Sequence, residues 1–332
     1  MPPLIEVRNL RVYFPVKRGL FSKPLYVKAV DGVSISIGKG EVLTLVGESG
    51  CGKTTLGKAI VGLVRPTDGE ILYKGKNILK LKGRDFLEYR RNVQIVHQDP
   101  YASLNPTKTV FQILSAPLKR WGIARTRDEI VERICKLLQL VGLTPPEDFL
   151  NKYPHQLSGG QRQRVVIARA VSVNPELIVA DEPITMIDVS LRLGILNLML
   201  DLREKLGTAY VFITHDFGAA RYFSARGGGR IAVMYLGKIV EVGSAEDVIR
   251  DPQHPYTKVL LSAVPVPDPE ESRKRKVIQL KSLDIPSPIN PPPGCRFHTR
   301  CPFAMSICEK EEPPMVEVKP GHWAACWLYA KR

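Results

Sequence analysis

One eight-residue segment limits the folds open to this chain more than any other: Gly47-Glu48-Ser49-Gly50-Cys51-Gly52-Lys53-Thr54. It follows the short apolar run Val42-Leu43-Thr44-Leu45-Val46, and Thr55 to Val61 behind it read as the start of a helix. Strand, glycine turn and helix N-terminus in that order make an anion cradle. Gly47, Ser49, Gly50 and Gly52 let the backbone curl so that its N–H groups face inward, and the helix dipole favours negative charge at Thr54 and Thr55. In such a loop Lys53 reaches the β- and γ-phosphates of a nucleoside triphosphate and the Thr54 hydroxyl ligates Mg²⁺. Cys51 occupies a position the pattern leaves open and has no assigned role.

A loop of this kind needs a parallel sheet beneath it. The runs Leu177-Ile178-Val179-Ala180 and Tyr210-Val211-Phe212-Ile213-Thr214 are short, apolar and suited to strands covered on both faces. Val33-Ser34-Ile35-Ser36-Ile37 alternates with period two and reads as a half-buried strand. Ile130, Val131, Ile134, Leu137, Leu138 and Val141 form one apolar helical stripe, and Arg230 to Val242, with Gly237 at the turn, reads as a hairpin. The fold class that follows is α/β, of the P-loop NTPase type. The run Leu177 to Ala180 ends in Asp181-Glu182-Pro183. A carboxylate at the C-terminal end of such a strand faces the nucleotide's Mg²⁺, which suits Asp181, and the next one, Glu182, is placed to orient or deprotonate an attacking water.

Leu157-Ser158-Gly159-Gly160-Gln161-Arg162-Gln163-Arg164 opens onto the helical run Val165 to Val171 and forms a second anion site by the same helix-terminus physics. One chain has no use for two such sites on one γ-phosphate. A head-to-tail dimer has, because each nucleotide is then held between two subunits.

With these residues in that order the sequence resembles the ABC ATPase family. Leu157 to Gln161 is similar to its signature motif, in which Ser158, Gly159, Gly160 and Gln161 close on the partner's ATP. Gln98 resembles the Q-loop glutamine, a further Mg²⁺ contact. His215 resembles the H-loop histidine at the γ-phosphate, and Asp188 the D-loop aspartate of the dimer interface. Phe14, or its neighbour Tyr13, falls where the family stacks an aromatic ring on adenine. The stretch Ile184-Thr185-Met186-Ile187-Asp188 departs from the family, which more often has a small residue and then Leu before Asp. Arg226-Gly227-Gly228-Gly229 reads as a short insertion with no functional assignment.

Gln98-Asp99-Pro100-Tyr101-Ala102-Ser103-Leu104-Asn105-Pro106, His254-Pro255-Tyr256-Thr257 and the tail from Cys295 to Cys326 are similar to the oligopeptide and dipeptide permease ATP-binding subunits. The resemblance covers essentially the whole chain. It implies a RecA-like cassette over residues 1–255 with a helical subdomain near 99–164, and a C-terminal extension over 256–332. It implies ATP and Mg²⁺ as ligands, and a homologous second ATPase subunit, giving a heterodimer. It also implies two membrane-spanning permease subunits, an extracytoplasmic solute-binding protein, and a place on the cytoplasmic face of the membrane. The same branch imports oligosaccharides, nickel and glutathione, so peptide cargo is an expectation of the branch rather than of any residue here.

The tail spacing is C-x5-C-x6-C-x17-C, over Cys295, Cys301, Cys308 and Cys326. No secretory h-region opens the sequence, so a reducing compartment is expected and clustered thiols favour metal over disulfide. The spacing fits a zinc ribbon poorly, and four thiolates suit a [4Fe–4S] cluster. Some relatives in the permease group carry such a cluster on this pattern, and the resemblance implies the same here. Zinc, with His298 or His322 as a substitute ligand, and reduced buried thiols are the alternatives. Pro265, Pro267 and Pro269, then Pro286 to Pro293, mark an extended connector ahead of the tail.

Charge raises one rival class. The chain carries 48 basic and 33 acidic side chains among 332 residues, a formal charge of +15. That suits nucleic acid or an anionic membrane surface. The excess is spread along the chain, its one dense run being Arg273-Lys274-Arg275-Lys276. No heptads separate Lys53 from Leu157, as they would in a chromosome-maintenance ABC protein. Nucleic acid is therefore not an expected partner.

Overall fold

The computed structural model describes residues 2–16, 24–263 and 278–330, which form two compact units. Pro265, Pro267, Pro269 and the run Arg273 to Lys276 lie outside the described residues. Unit 1 holds residues 1–37, 42–79 and 214–332, and unit 2 holds 38–41 and 80–213.

Unit 1 begins with β1 (Ile5–Val16) and β2 (Leu25–Ile37), an antiparallel pair in which Val33, Ile35 and Ile37 are buried and Ser34 exposed, as the alternation predicts. After β3 (Val42–Val46) and α1 (Lys53–Ile60), β4 (Asp68–Tyr73) and β5 (Lys76–Asn77) complete a sheet of order β2-β1-β4-β5.

The chain then forms unit 2. It contains α2 (Gly83–Asn92), β6 (Val93–Val96), α3 (Pro100–Ser103), α4 (Val110–Arg120), α5 (Arg127–Leu140), α6 (Glu147–Leu150) and α7 (Gly159–Val171). These are followed by β7 (Leu177–Asp181), α8 (Val189–Leu206) and β8 (Ala209–Thr214). The strands run parallel in the order β8-β7-β6. Every residue of β7 and β8 is buried, which is why both read as unbroken apolar runs. Thr109 and Thr126 start α4 and α5 with reciprocal capping boxes to Gln112 and Glu129. Within residues 99–164 lie α3 to α6 and the start of α7. The last of these runs on to Val171 because its second half, from Val165 to Ala168 and on through Ala170 and Val171, is buried.

The chain returns to unit 1 with α9 (Phe217–Arg226), β9 (Arg230–Tyr235), β10 (Lys238–Ser244), α10 (Ala245–Arg250) and α11 (Pro255–Ser262). It ends with α12 (Ser306–Lys310), β11 (Met315–Lys319) and β12 (His322–Ala325). The predicted hairpin is β9–β10. The triplet after Arg226 has a structural purpose that its sequence did not reveal. A Cβ on Gly229 would stand 2.3 Å from the Val42 carbonyl oxygen, so only glycine lets this turn lie against β3.

The tail packs into unit 1 and does not stand alone. Strand β12 pairs with β10 through Glu241↔Ala324 and Val242↔Trp323, extending the sheet to β11-β12-β10-β9-β3. Phe297 and Cys301 are buried in the same apolar cluster as Val46, Val233, Tyr235 and Tyr256. The connector through Pro286 to Pro293 has no helix or strand, and Pro288 accepts a hydrogen bond from the Lys28 amide at 3.0 Å. Among the described residues no helix is long and apolar enough to cross a membrane.

Candidate functional site

In unit 1 the loop between β3 and α1 is shaped by close backbone approaches. A Cβ on Gly52, at φ 107°, would lie 2.0 Å from the Ala29 carbonyl oxygen, and one on Gly47 would lie 2.1 Å from that of Met234. The loop therefore curls against two neighbouring strands, a fit open only to glycine. No side chain caps α1, and the N-terminus of such a helix suits an anion. Lys53 is buried, and its ammonium donates to the carbonyls of Gly47 at 2.8 Å and Glu48 at 3.0 Å, which holds it over the loop. Ser49 and Gly50 lie on the loop, and Thr54 and Thr55 in the first turn of α1.

His215 is exposed between the end of β8 and α9. Asp216 starts α9 by accepting from the amides of Gly218 and Ala219, which fixes the backbone beside it. Phe14 lies on β1 opposite Val27 and is 40% exposed. Tyr13, the alternative aromatic, is committed elsewhere. Its hydroxyl donates to Asp31, and burial first, then that carboxylate, push its pKa up to about 12.

In unit 2 the end of β7 presents Asp181, buried, and then Glu182 at φ 46°, a left-handed conformation uncommon for a side-chain-bearing residue. The Glu182 amide donates to the Ile213 carbonyl at 3.0 Å, which sustains that geometry. Its carboxylate accepts from the Gln98 side-chain amide at 3.2 Å and from the Thr185 hydroxyl at 3.1 Å. The structure thus brings Gln98 and Glu182 together, although they lie 84 positions apart. After Gln98, Asp99 accepts from the amides of Tyr101 and Ala102, and Pro100 takes the first helical position. That is the local reason for the Asp99-Pro100 pair.

Ser158 is the N-cap of α7. Its hydroxyl accepts from the Gln161 amide at 3.3 Å, and the Gln161 side chain accepts from the Ser158 amide at 3.1 Å. Ser158 is exposed, Gly159 half-buried and Gly160 buried against Leu191. Arg162 was not singled out from sequence, yet it holds this turn. Its guanidinium donates to the Pro154 and Leu157 carbonyls and lies 3.8 Å from the Tyr101 ring centroid. Asp188 is exposed at the start of α8, among Met186, Val189, Leu191 and Leu193, each more than 40% exposed.

The four tail cysteines line one cavity of about 10 Å³, room for about one water molecule. Burial pushes the Cys295 thiol up to about 12 and the Cys326 thiol to about 11, and raises Cys301 as well. The donor set is of the kind that binds thiophilic metals. Among the described residues, however, no three His, Cys, Asp or Glu side chains are arranged to hold a metal ion. His298 lines the cavity, with Nδ1 2.8 Å from the Cys295 carbonyl oxygen. His322, the other alternative zinc ligand, is committed elsewhere. Fully buried, it places Nε2 2.7 Å from the Glu241 carboxylate. That carboxylate also accepts from the Gln253 amide at 2.7 Å and the His254 amide at 2.9 Å. The same contacts account for His254-Pro255-Tyr256. His254 caps α11 through Nδ1, Pro255 opens the helix, and the Tyr256 hydroxyl accepts from the Glu48 amide at 2.9 Å.

Comparison with known proteins shows the family and the fold. Residues 30–185 match the family described as ABC transporter, and residues 240–308 the one described as oligopeptide/dipeptide transporter, C-terminal region. The oligopeptide transport ATP-binding protein AppF of Bacillus subtilis is 47% identical over 329 residues, 98% of each chain. OppF of Salmonella typhimurium, of the same description, is 43% identical, over 97% of this chain and 95% of its own. Among solved structures, the ATP-binding cassette MJ0796, dimeric and bound to ADP and Pi, is 30% identical with a TM-score of 0.62, over 73% of this chain and 98% of its own. CbiO1 of Clostridium perfringens, part of an ABC transporter complex, is 25% identical with a TM-score of 0.61, over 76% and 92%.

Proposed function

This chain belongs to the ABC transporter family, in its oligopeptide/dipeptide branch, and from that premise we propose that it is the ATP-hydrolysing subunit driving import of oligopeptides or dipeptides through partner membrane subunits. The observation that carries this reading is the presence in one chain of two helix starts suited to anions, α1 and α7. The first, with Lys53 over it, suits the subunit's own ATP. The second, exposed at Ser158, suits the nucleotide of a facing subunit.

The residue roles follow. Gly47, Ser49, Gly50, Gly52, Lys53, Thr54 and Thr55 hold the phosphates, and Phe14 stacks on the base. Thr54, Asp181 and Gln98 would hold Mg²⁺, which would offset the phosphate charge. Glu182 accepts a proton from water, and its hydrogen bond from Gln98 orients the carboxylate for that task. His215 steadies the γ-phosphate. Ser158, Gly159, Gly160 and Gln161 cover the partner's ATP. The exposed apolar side chains around Asp188 support a subunit interface there, formed with a homologous second ATPase subunit. The division at residue 255 is then one of function, a motor cassette followed by an extension, at the cytoplasmic face of a membrane.

For the cysteine cavity we retain the [4Fe–4S] reading, supported by four thiols on one cavity and by the resemblance to the permease subunits, with zinc and metal-free reduced thiols as its competitors. No step of ATP hydrolysis passes through it. Iron, acid-labile sulfide and zinc content of anaerobically purified protein decides between them.

The functional test is uptake. The chain is assembled with its membrane partners in vesicles and offered mixed short peptides and mixed oligosaccharides, with and without ATP. ATP-dependent accumulation of peptides is expected. Accumulation of sugars alone would keep the motor and replace the cargo, and ATPase activity with neither would redirect the search to metal ions.

A further inference from the structure

Glu48 places a carboxylate inside the phosphate-binding loop, one residue after Gly47. A negative charge there opposes the binding of a triphosphate. The structure supplies its counter-charge from far along the chain. Arg300 grips Glu48 with two parallel hydrogen bonds, at 2.8 and 3.0 Å, across 252 positions of sequence. The Arg300 side chain is 6% exposed and that of Glu48 23%, so water screens the pair weakly. Tyr256 adds its hydroxyl as acceptor for the Glu48 amide. Arg300 is held in turn by Tyr235, whose hydroxyl accepts from it at 3.4 Å, and its guanidinium lies 5.9 Å from the Phe297 ring centroid. Phe297 and Cys301 are core residues of unit 1, so the grip rests on a packed platform.

We propose that Arg300, supplied by the C-terminal extension, is a positioning residue of the nucleotide site: it neutralises the Glu48 carboxylate and, with Tyr256, pins the loop that receives the phosphates. The extension is then part of the ATP site as well as a terminal staple. This inference rests on the reading of Gly47 to Thr55 as a nucleotide loop. Because the bidentate fork supplies geometry as well as charge, a lysine replaces only part of it.

The test uses the full-length chain, with MgADP binding measured by calorimetry and KM and kcat for ATP measured in parallel. Arg300→Gln unmasks Glu48, and its dissociation constant and KM are expected to rise by about tenfold, or ~1.4 kcal/mol, with kcat at saturation near wild type. Glu48→Gln in that background removes the unmasked charge and is expected to restore most of the affinity, which a merely structural role for Arg300 would not produce. Arg300→Lys should lie between Arg300→Gln and wild type. If Arg300→Gln does not fold, Tyr256→Phe carries the test, since it deletes one hydroxyl and should raise the dissociation constant severalfold. Wild-type affinity in Arg300→Gln, or a double variant no tighter than Arg300→Gln alone, overturns the proposal. A wild-type chain that does not bind MgADP overturns the nucleotide reading itself, and this inference with it.

Discussion

Glu241 is a fully buried carboxylate on β10, and replacing it with alanine should loosen the C-terminal tail more than any single surface change. Three donors converge on it: the amides of Gln253 and His254 and the Nε2 of His322 on β12. Glu241→Ala leaves all three without an acceptor in a site that holds no exposed atom of either partner side chain. An orphaned buried donor costs about 1–3 kcal/mol. Against the sum of these three stands the desolvation that the carboxylate no longer suffers, so the net loss is about 3 kcal/mol. The assay is amide hydrogen exchange on the full chain. The Gln253 and His254 amides and those of β12 should exchange roughly a hundredfold faster, the factor that corresponds to about 3 kcal/mol of local opening. The amides of β7 and β8 should keep their protection. Exchange of β12 within about threefold of wild type would show that burial of the charge cancels its hydrogen bonds, and the reasoning would fail.

Three further outcomes are expected. Glu182→Gln should bind ATP as wild type does and lose at least about a hundredfold in turnover, the usual contribution of a general base; hydrolysis near the wild-type rate would remove Glu182 from that role. Gly229→Ala forces a methyl group to within 2.3 Å of the Val42 carbonyl oxygen and should destabilise unit 1 by about 1–3 kcal/mol in denaturant unfolding, as overpacking does, whereas a stability equal to wild type would mean the turn moves freely. His254 is fully buried, and burial first, with Lys258 opposing and Glu241 favouring its charge, lowers its pKa to about 4. A lowered folded value means that the unfolded chain binds the proton more readily. The stabilisation is therefore complete above about pH 6.5 and is lost as pH falls toward 4, by about 3 kcal/mol. His254→Asn keeps a helix-capping acceptor and removes the titration, so its stability should fall less steeply over that window; a parallel fall would assign the acid sensitivity to other groups.

The turns and helix starts of the candidate site were legible in the chain because they are local. The phosphate loop from Gly47 to Thr55 and the turn from Leu157 to Gln161 each complete their geometry within a few residues. Their glycines, caps and helix starts therefore appear side by side in the sequence. The same holds for Asp99-Pro100 at the start of α3 and for His254-Pro255 at the start of α11, where N-cap and first-turn proline adjoin. The strand Leu177–Asp181 announced itself by apolarity, since a strand buried on both faces has no polar side to alternate with.

What only the tertiary structure decided are the pairings between distant positions. Nothing in the spacing of Glu48 and Arg300 marks them as partners, nor Glu241 and His322, because such a side-chain contact is set by where two strands and a tail come to lie. The glycines after Arg226 looked like an insertion until Val42 stood against them. His322 looked like a metal ligand until Glu241 claimed its ring. A backbone turn is specified by its own residues, whereas a side-chain contact depends on the packing of every element that carries it. The sequence therefore disclosed the glycine turns and helix starts, and the fold revealed that Arg300 of the tail reaches Glu48 in the loop from Gly47 to Thr54.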